Sequence, residues 1–238
     1  MTTEPVNMTV HQDDEMMKFI KQKKLPESHY FKMGEQHSKT FIESIKKSNP
    51  TFLSGKRVLD YGCGHGRITR HLKTFLHPSK LVVADVWDSA VNFCSKEFKA
   101  TAFLISDENK ISNYNEKFDL IISYSVFSHL PPNLFELTLS ELKNILDSEG
   151  LLLFTTKGDF HIKRLGLSLE NGYHYGSLGK NPNHTEGRLS EKDYSMMIVN
   201  KFFVENMLDK VGLELLEHIQ DPEKLSSQEM YVVRKKQS

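Results

Sequence analysis

This chain of 238 residues lacks most of the features that mark a specialised protein at first sight. It has two cysteines, Cys63 and Cys94, and one tryptophan, Trp87. Two thiols cannot build a disulfide framework, and they are expected to stay reduced. Charge of one sign is missing too: 31 Lys plus Arg balance 31 Asp plus Glu, so no global field draws the chain to nucleic acid or an anionic membrane. No apolar run approaches the ~20 residues of a membrane span, and Met1-Thr2-Thr3-Glu4-Pro5 does not look like a signal peptide. There is no internal repeat and no low-complexity block. His161, His174 and His184 match no ligand spacing and have no cysteine or paired carboxylate to support them, so no metal is expected. What these absences leave is one soluble domain of α/β size, expected in the cytoplasm.

The residues that are present are arranged around Val58-Leu59-Asp60-Tyr61-Gly62-Cys63-Gly64-His65-Gly66-Arg67-Ile68. An apolar run of the kind a buried parallel strand needs ends in an acid, turns through three alternating glycines and enters a helix. Ile68, Leu72, Phe75 and Leu76 give that helix an apolar stripe. A strand, a glycine turn and a helix place a nucleoside-type ligand at the carboxyl edge of an open sheet. Asp60 to Gly66 resembles the D-x-G-x-G-x-G motif of class I S-adenosylmethionine (SAM)-dependent methyltransferases. A dinucleotide turn, G-x-G-x-x-G, has no need of an acid two residues before its first glycine. The resemblance implies that Asp60 helps hold the methionine ammonium of SAM, directly or through water, with Gly62, Cys63 and Gly64 beside the cofactor and S-adenosylhomocysteine as product.

Four further stretches extend this reading. Leu81-Val82-Val83-Ala84-Asp85 is a second strand ending in an acid, and Asp85 suits the two ribose hydroxyls. Val86 and Trp87 offer an apolar or stacking surface for adenine. After the third strand, Ala102 to Ile105, the resemblance assigns Asp107 to the adenine amino group; an exposed loop acid would look the same. Phe118 to Leu130 resembles the F-D-L-I-x-S-x-S-V-F-x-H-L segment of a branch that includes many bacterial sugar and small-molecule enzymes. It contributes Ser123 as a cofactor contact and Tyr124 and His129 as candidates near the reacting groups. His129 is the natural candidate for a base, because imidazole titrates near neutral pH, and it would equally serve to fix its loop. Ahead of the motif, Tyr30 and Gly34 are either SAM contacts from N-terminal helices or packing residues of those helices.

The expected architecture is a Rossmann-like, doubly wound α/β sheet of seven strands, mostly parallel with an antiparallel C-terminal hairpin. Residues 1–50 form a helical cap and 51–238 the SAM-binding domain, with an acceptor-covering insertion at about 158–198. That insertion has no dominant periodicity, and a long loop region in a compact domain is usually functional or mobile. His161, Tyr173, His174 and Tyr175 are its candidate acceptor contacts. The expected activity is methyl transfer from SAM to a small molecule or glycan, at a sugar hydroxyl or phosphoryl oxygen. Protein or RNA as acceptor, or an inactive methyltransferase-like scaffold, are the alternatives. Balanced charge and the absence of an Asn/Asp-Pro-Pro-Tyr/Phe signature weigh against nucleic acid, and no membrane insertion is expected.

Overall fold

The computed structural model describes residues 5–49, 55–177, 190, 192 and 194–237. Its strands are β1 (Arg57–Tyr61), β2 (Lys80–Asp85), β3 (Thr101–Leu104), β4 (Phe118–Ser123), β5 (Leu146–Thr156), β6 (Tyr173–Tyr175), β7 (Met197–Val199), β8 (Leu213–Ile219) and β9 (Glu229–Lys235). Seven of them form one sheet in the order β3-β2-β1-β4-β5-β9-β8, while β6 and β7 make a separate ladder. Strands β1 to β5 pair in parallel, and β9 runs antiparallel to both β5 and β8. The order reverses between β1 and β4. The crevice of an open α/β sheet lies at that switch point, outside the carboxyl ends of the strands.

The helices are α1 (Glu15–Gln22), α2 (Glu27–Ser48), α3 (Thr69–Leu76), α4 (Asp88–Phe98), α5 (Pro132–Ile145), α6 (Asp159–Leu165) and α7 (Lys201–Val211). Alternation along the central strands builds a core on each face of the sheet. Leu59, Val82, Ile121, Leu152 and Phe154 point to one, where they meet Phe135 and Leu139 of α5 and Phe203 and Val204 of α7. Val58, Val83, Leu120, Ile122 and Leu153 point to the other, against Phe41 of α2, Leu72 of α3 and Cys94 of α4. Each such side chain contributes about 1.5–3 kcal/mol by leaving water.

The N-terminal helices are tied down by polar as well as apolar contacts. Asp14 caps α1 by accepting from the Met17 N–H at 2.8 Å, and its other oxygen accepts from the Tyr30 hydroxyl at 2.6 Å. The fully buried Arg70 of α3 donates to the Asn7 and Thr9 carbonyls, and its guanidinium lies over the rings of Tyr30, Phe31 and Phe98.

Tyr30 and Gly34 both lie within the 22-residue α2. A glycine there costs helix stability, and tertiary packing accounts for it: a Cβ on Gly34 would stand 2.6 Å from the Arg67 carbonyl oxygen and 3.1 Å from the His71 ring. Helix α5 stops at Ile145, and Leu146 already pairs with Phe118 ahead of a bulge in the β4–β5 ladder. The stretch after β5 read as loop contains α6 and the β6–β7 ladder. Strands of three residues are too short to show periodicity. Residues 178–189, 191 and 193 of the predicted cover, His184 among them, lie outside the described residues. No helix among the described residues is long and apolar enough to cross a membrane.

Candidate active site

The three glycines after β1 all take left-handed backbone angles, with φ of +75° at Gly62, +50° at Gly64 and +77° at Gly66. Their surroundings differ. A Cβ on Gly62 would stand 2.2 Å from Val126 Cγ2, and one on Gly66 would stand 2.2 Å from Phe98 Cε2; at Gly64 nothing lies within 4 Å. Two of the glycines are therefore closed by the protein's own packing. Gly64 alone turns its bare face to open space, a cradle that a side chain would fill.

Asp85, at the end of β2, holds this turn. Its Oδ2 accepts from the Gly64 N–H at 2.8 Å and its Oδ1 from the Trp87 N–H at 3.2 Å. Burial pushes its carboxyl pKa up and the backbone N–H groups pull it back. Only 9% of the residue is exposed, while its neighbour Val86 is 45% exposed. Asp60 is enclosed: it accepts from the Thr69 hydroxyl at 2.6 Å, and burial pushes its pKa up to about 7. Cys63 is buried with its thiol beside Cys94, and burial raises its pKa. Any contact it makes with a ligand in the turn is through its main chain. Asp107 is exposed in the loop beyond β3.

Where β4 meets the loop, Ser125 carries φ of +63°, uncommon for a residue with a side chain. A hydrogen-bonded ring holds it. Its N–H donates to Thr155 Oγ1 at 2.8 Å, the Thr155 hydroxyl donates to Gln228 Oε1 at 2.8 Å, and Gln228 Nε2 donates back to Ser125 Oγ at 3.0 Å. Ser123 is buried at the end of β4. Tyr124 turns away from this ring toward α2: its ring stacks on His37 at 4.7 Å, the Arg67 guanidinium lies 5.2 Å above it, and its hydroxyl donates to the Leu225 carbonyl at 3.3 Å. Arg67 donates to His37 Nδ1 at 3.2 Å. That assigns the proton to His37 Nε2, which faces Ser226 Oγ at 3.0 Å. His129 stacks on Tyr194 at 4.6 Å, and its carbonyl accepts from the Ser195 N–H at 3.0 Å, so the chain returning from the cover is docked on this loop.

The acceptor candidates separate by face. Tyr173 and Tyr175, two apart on β6, pack on the α5–α7 side of the core, with Tyr173 5.3 Å from the Phe203 ring. His174 points the other way, paired with Ile198. His161 sits on the first turn of α6, where burial pushes its pKa down to about 4. The structure thus gathers Gly62, Gly64, Asp85 and Ser123 at the carboxyl ends of β1, β2 and β4. It gives Tyr30 and Gly34 packing duties among the helices. The sequence reading missed Ser125, Gln228, Arg67 and His37. Ser125 lies inside the quoted motif, but its partner Gln228 is 103 residues away and no local pattern links them.

A glycine cradle beside a buried ribose-type acid fits a nucleoside cofactor, and comparisons with known proteins agree. A family model described as a methyltransferase domain matches residues 58–150. A phthiotriol/phenolphthiotriol dimycocerosates methyltransferase of Mycobacterium ulcerans is 31% identical over 105 residues, which are 43% of this chain and 38% of that one. A fatty-acid O-methyltransferase of Mycolicibacterium smegmatis is 30% identical over 105 residues, with the same two coverages. The chain therefore matches less than two-fifths of the length of these relatives. Among solved structures, an S-adenosylmethionine-dependent methyltransferase from Clostridium acetobutylicum superposes with a TM-score of 0.64 at 14% identity, covering 93% of this chain and 97% of its own. Over residues 58–150 the chain thus matches a methyltransferase domain, and its fold is that of solved S-adenosylmethionine-dependent methyltransferases.

Proposed function

We propose that the chain transfers a methyl group from SAM to an oxygen of a small organic acceptor of lipid or acyl type. The observation that carries this is the shared edge: the open face of Gly64 and the acid Asp85 lie at one end of a crevice whose other wall is the strained Ser125 ring. Bound there, SAM supplies an electrophilic methyl carbon on a sulfonium. The main demand on the protein is then alignment of the acceptor, which can supply most of the rate. Ser125, fixed by two hydrogen bonds to side chains that are themselves bonded to each other, is suited to hold part of that alignment. The names of the relatives support a lipid-type acceptor, and none of those quoted supports a sugar hydroxyl.

The test is to supply methyl-labelled SAM with a panel of fatty acids, lipid alcohols, sugar nucleotides and phosphorylated metabolites, and to identify the labelled product. Label in a fatty acid or lipid alcohol is the expected result. Label confined to sugar nucleotides would move the acceptor class, and failure of calorimetry to detect SAM binding would remove the activity altogether.

A further inference from the structure

Lys157 is the first residue beyond β5, at the carboxyl edge of the sheet. Strand alternation puts its side chain on the face that carries Leu153 and Thr155, the same face as the Ser125–Gln228 ring. Strand β7 lies alongside. The Val199 N–H donates to the Lys157 carbonyl at 2.9 Å, and Ile198 is bridged to Lys157 on one side and paired with His174 on the other. Lys157, Ile198 and His174 thus form a row across three strands, its outer members two strand spacings apart, about 9.6 Å. His161 is near enough to feel the Lys157 charge, and its Nδ1 is buried with no partner among the described residues.

The ammonium of Lys157 has no hydrogen bond and no ion pair among the described residues. Burial alone pulls its pKa down, to about 8, with no carboxylate among the described residues offsetting it. Glu229, the buried acid near His161, is already occupied: it accepts from the Asp159 N–H at 2.6 Å and bonds His218 at 2.9 Å. A half-buried cation without a counter-charge is a standing cost to the fold, and an incoming anion would remove it.

We propose that Lys157 is the counter-charge for the acceptor, and that the acceptor presents a carboxylate. One ammonium beside the neutral His161 imidazole suits a single negative charge better than a phosphate dianion. No residue of the adjoining α6 is fully buried, and Phe160 and Leu165 are exposed, an apolar surface for a carbon chain next to the charge. A carboxylate also arrives ionised, so its oxygen can take a methyl group with no base to receive a proton.

This inference rests on the methyl-transfer reading, and its test separates the two. With the full chain saturated in S-adenosylhomocysteine, calorimetry would measure binding of decanoate and of decan-1-ol to the parent, Lys157→Met and Lys157→Arg, each checked by thermal melt. Decanoate affinity should fall on the order of tenfold or more in Lys157→Met, the loss expected for one charge-assisted contact. It should be largely kept in Lys157→Arg, with decanol unaffected by either change. Equal decanoate affinity in folded Lys157→Met overturns the proposal. So does a parent that ignores decanoate, or one that prefers decanol, while still binding S-adenosylhomocysteine. Failure to bind S-adenosylhomocysteine would instead strike at methyl transfer itself.

Discussion

The glycine turn allows a test in which near-identical substitutions should have opposite consequences. Gly64 and Gly66 both hold left-handed angles, so an alanine at either carries the same backbone strain, about 1–2 kcal/mol. For a chain of this size each kcal/mol lowers the melting temperature by roughly 2–4 °C. At Gly64 the added Cβ meets nothing within 4 Å. Gly64→Ala should therefore fold with a melt only a few degrees below the parent. The Cβ fills the open face of the cradle, and SAM affinity should drop on the order of tenfold or more, the loss that about 1.4 kcal/mol represents. At Gly66 the Cβ would stand 2.2 Å from Phe98, a side chain only 1% exposed and without room to retreat. Overpacking adds about 1–3 kcal/mol there. Gly66→Ala should be the less stable variant by that difference, with its loss of SAM binding following its loss of fold. Paired melts and calorimetry read both quantities. Parent-like SAM affinity in folded Gly64→Ala would falsify the assignment of the open face to the cofactor, and matching melts would refute the packing argument at Gly66.

Asp85→Ala should weaken SAM binding by about 1.5–3 kcal/mol per charge-assisted bond lost. It should also lower the melt measurably, because Asp85 is nearly buried and holds the Gly64 and Trp87 N–H groups; an unchanged melt would mean the carboxylate is dispensable to the turn. Acid should destabilise the fold through His37, His65 and His71, whose pKa values burial pushes down to about 3, 4 and 4. Between the unfolded value near 6.5 and those folded values the unfolded chain binds more protons, so stability falls as pH falls. From pH 7 to 5 the three together cost about 5 kcal/mol; Asp60, pushed up to about 7, works in the opposite sense and returns about 2 kcal/mol. Urea midpoints that do not fall over this range would contradict the burial of these rings. Finally, His129→Gln should leave kcat on a carboxylate acceptor within about threefold, since no proton needs removing; a fall of about a hundredfold that shrinks as pH rises would make His129 a base and the acceptor a neutral alcohol.

The sheet and its cofactor edge were legible because their signals are local. Asp60, the glycine turn and Asp85 follow one another within a single βαβ unit, where strand, turn and helix each leave a pattern of a few residues. What the sequence hid depends on distance in the chain. Gly34 stays open between a ligand contact and a packing residue until the Arg67 carbonyl beneath it is seen; its missing Cβ lets α2 lie on the loop leading into α3. No local pattern links Tyr30 to Asp14, which lies 16 residues back and takes its hydroxyl. The three glycines look equivalent in sequence, and only Val126 and Phe98 distinguish them from outside the turn. In the cover, the alternation that sends Tyr173 and Tyr175 to the core and His174 to the other face spans three residues, below the length at which a period can be recognised.

The antiparallel hairpin does more than finish the sheet. Its connection, between β8 and β9, reaches the carboxyl edge of β4 and β5, where Gln228 closes the ring through Thr155 and Ser125. A left-handed serine costs about 1–2 kcal/mol, and hydrogen bonds contribute about 1 kcal/mol each, so the bonds to Ser125 suffice to hold the strain. The strained turn in its turn places Val126 on the closed face of Gly62. Two residues before Gln228, Ser226 is bonded to His37, which receives the Arg67 guanidinium from the end of the glycine turn. The connection thus joins the glycine turn after β1 and the carboxyl end of β4 through side chains that belong to neither. Substitutions in residues 225–228 should for that reason disturb cofactor and acceptor together, whereas those at Gly64 or Lys157 act on one wall alone.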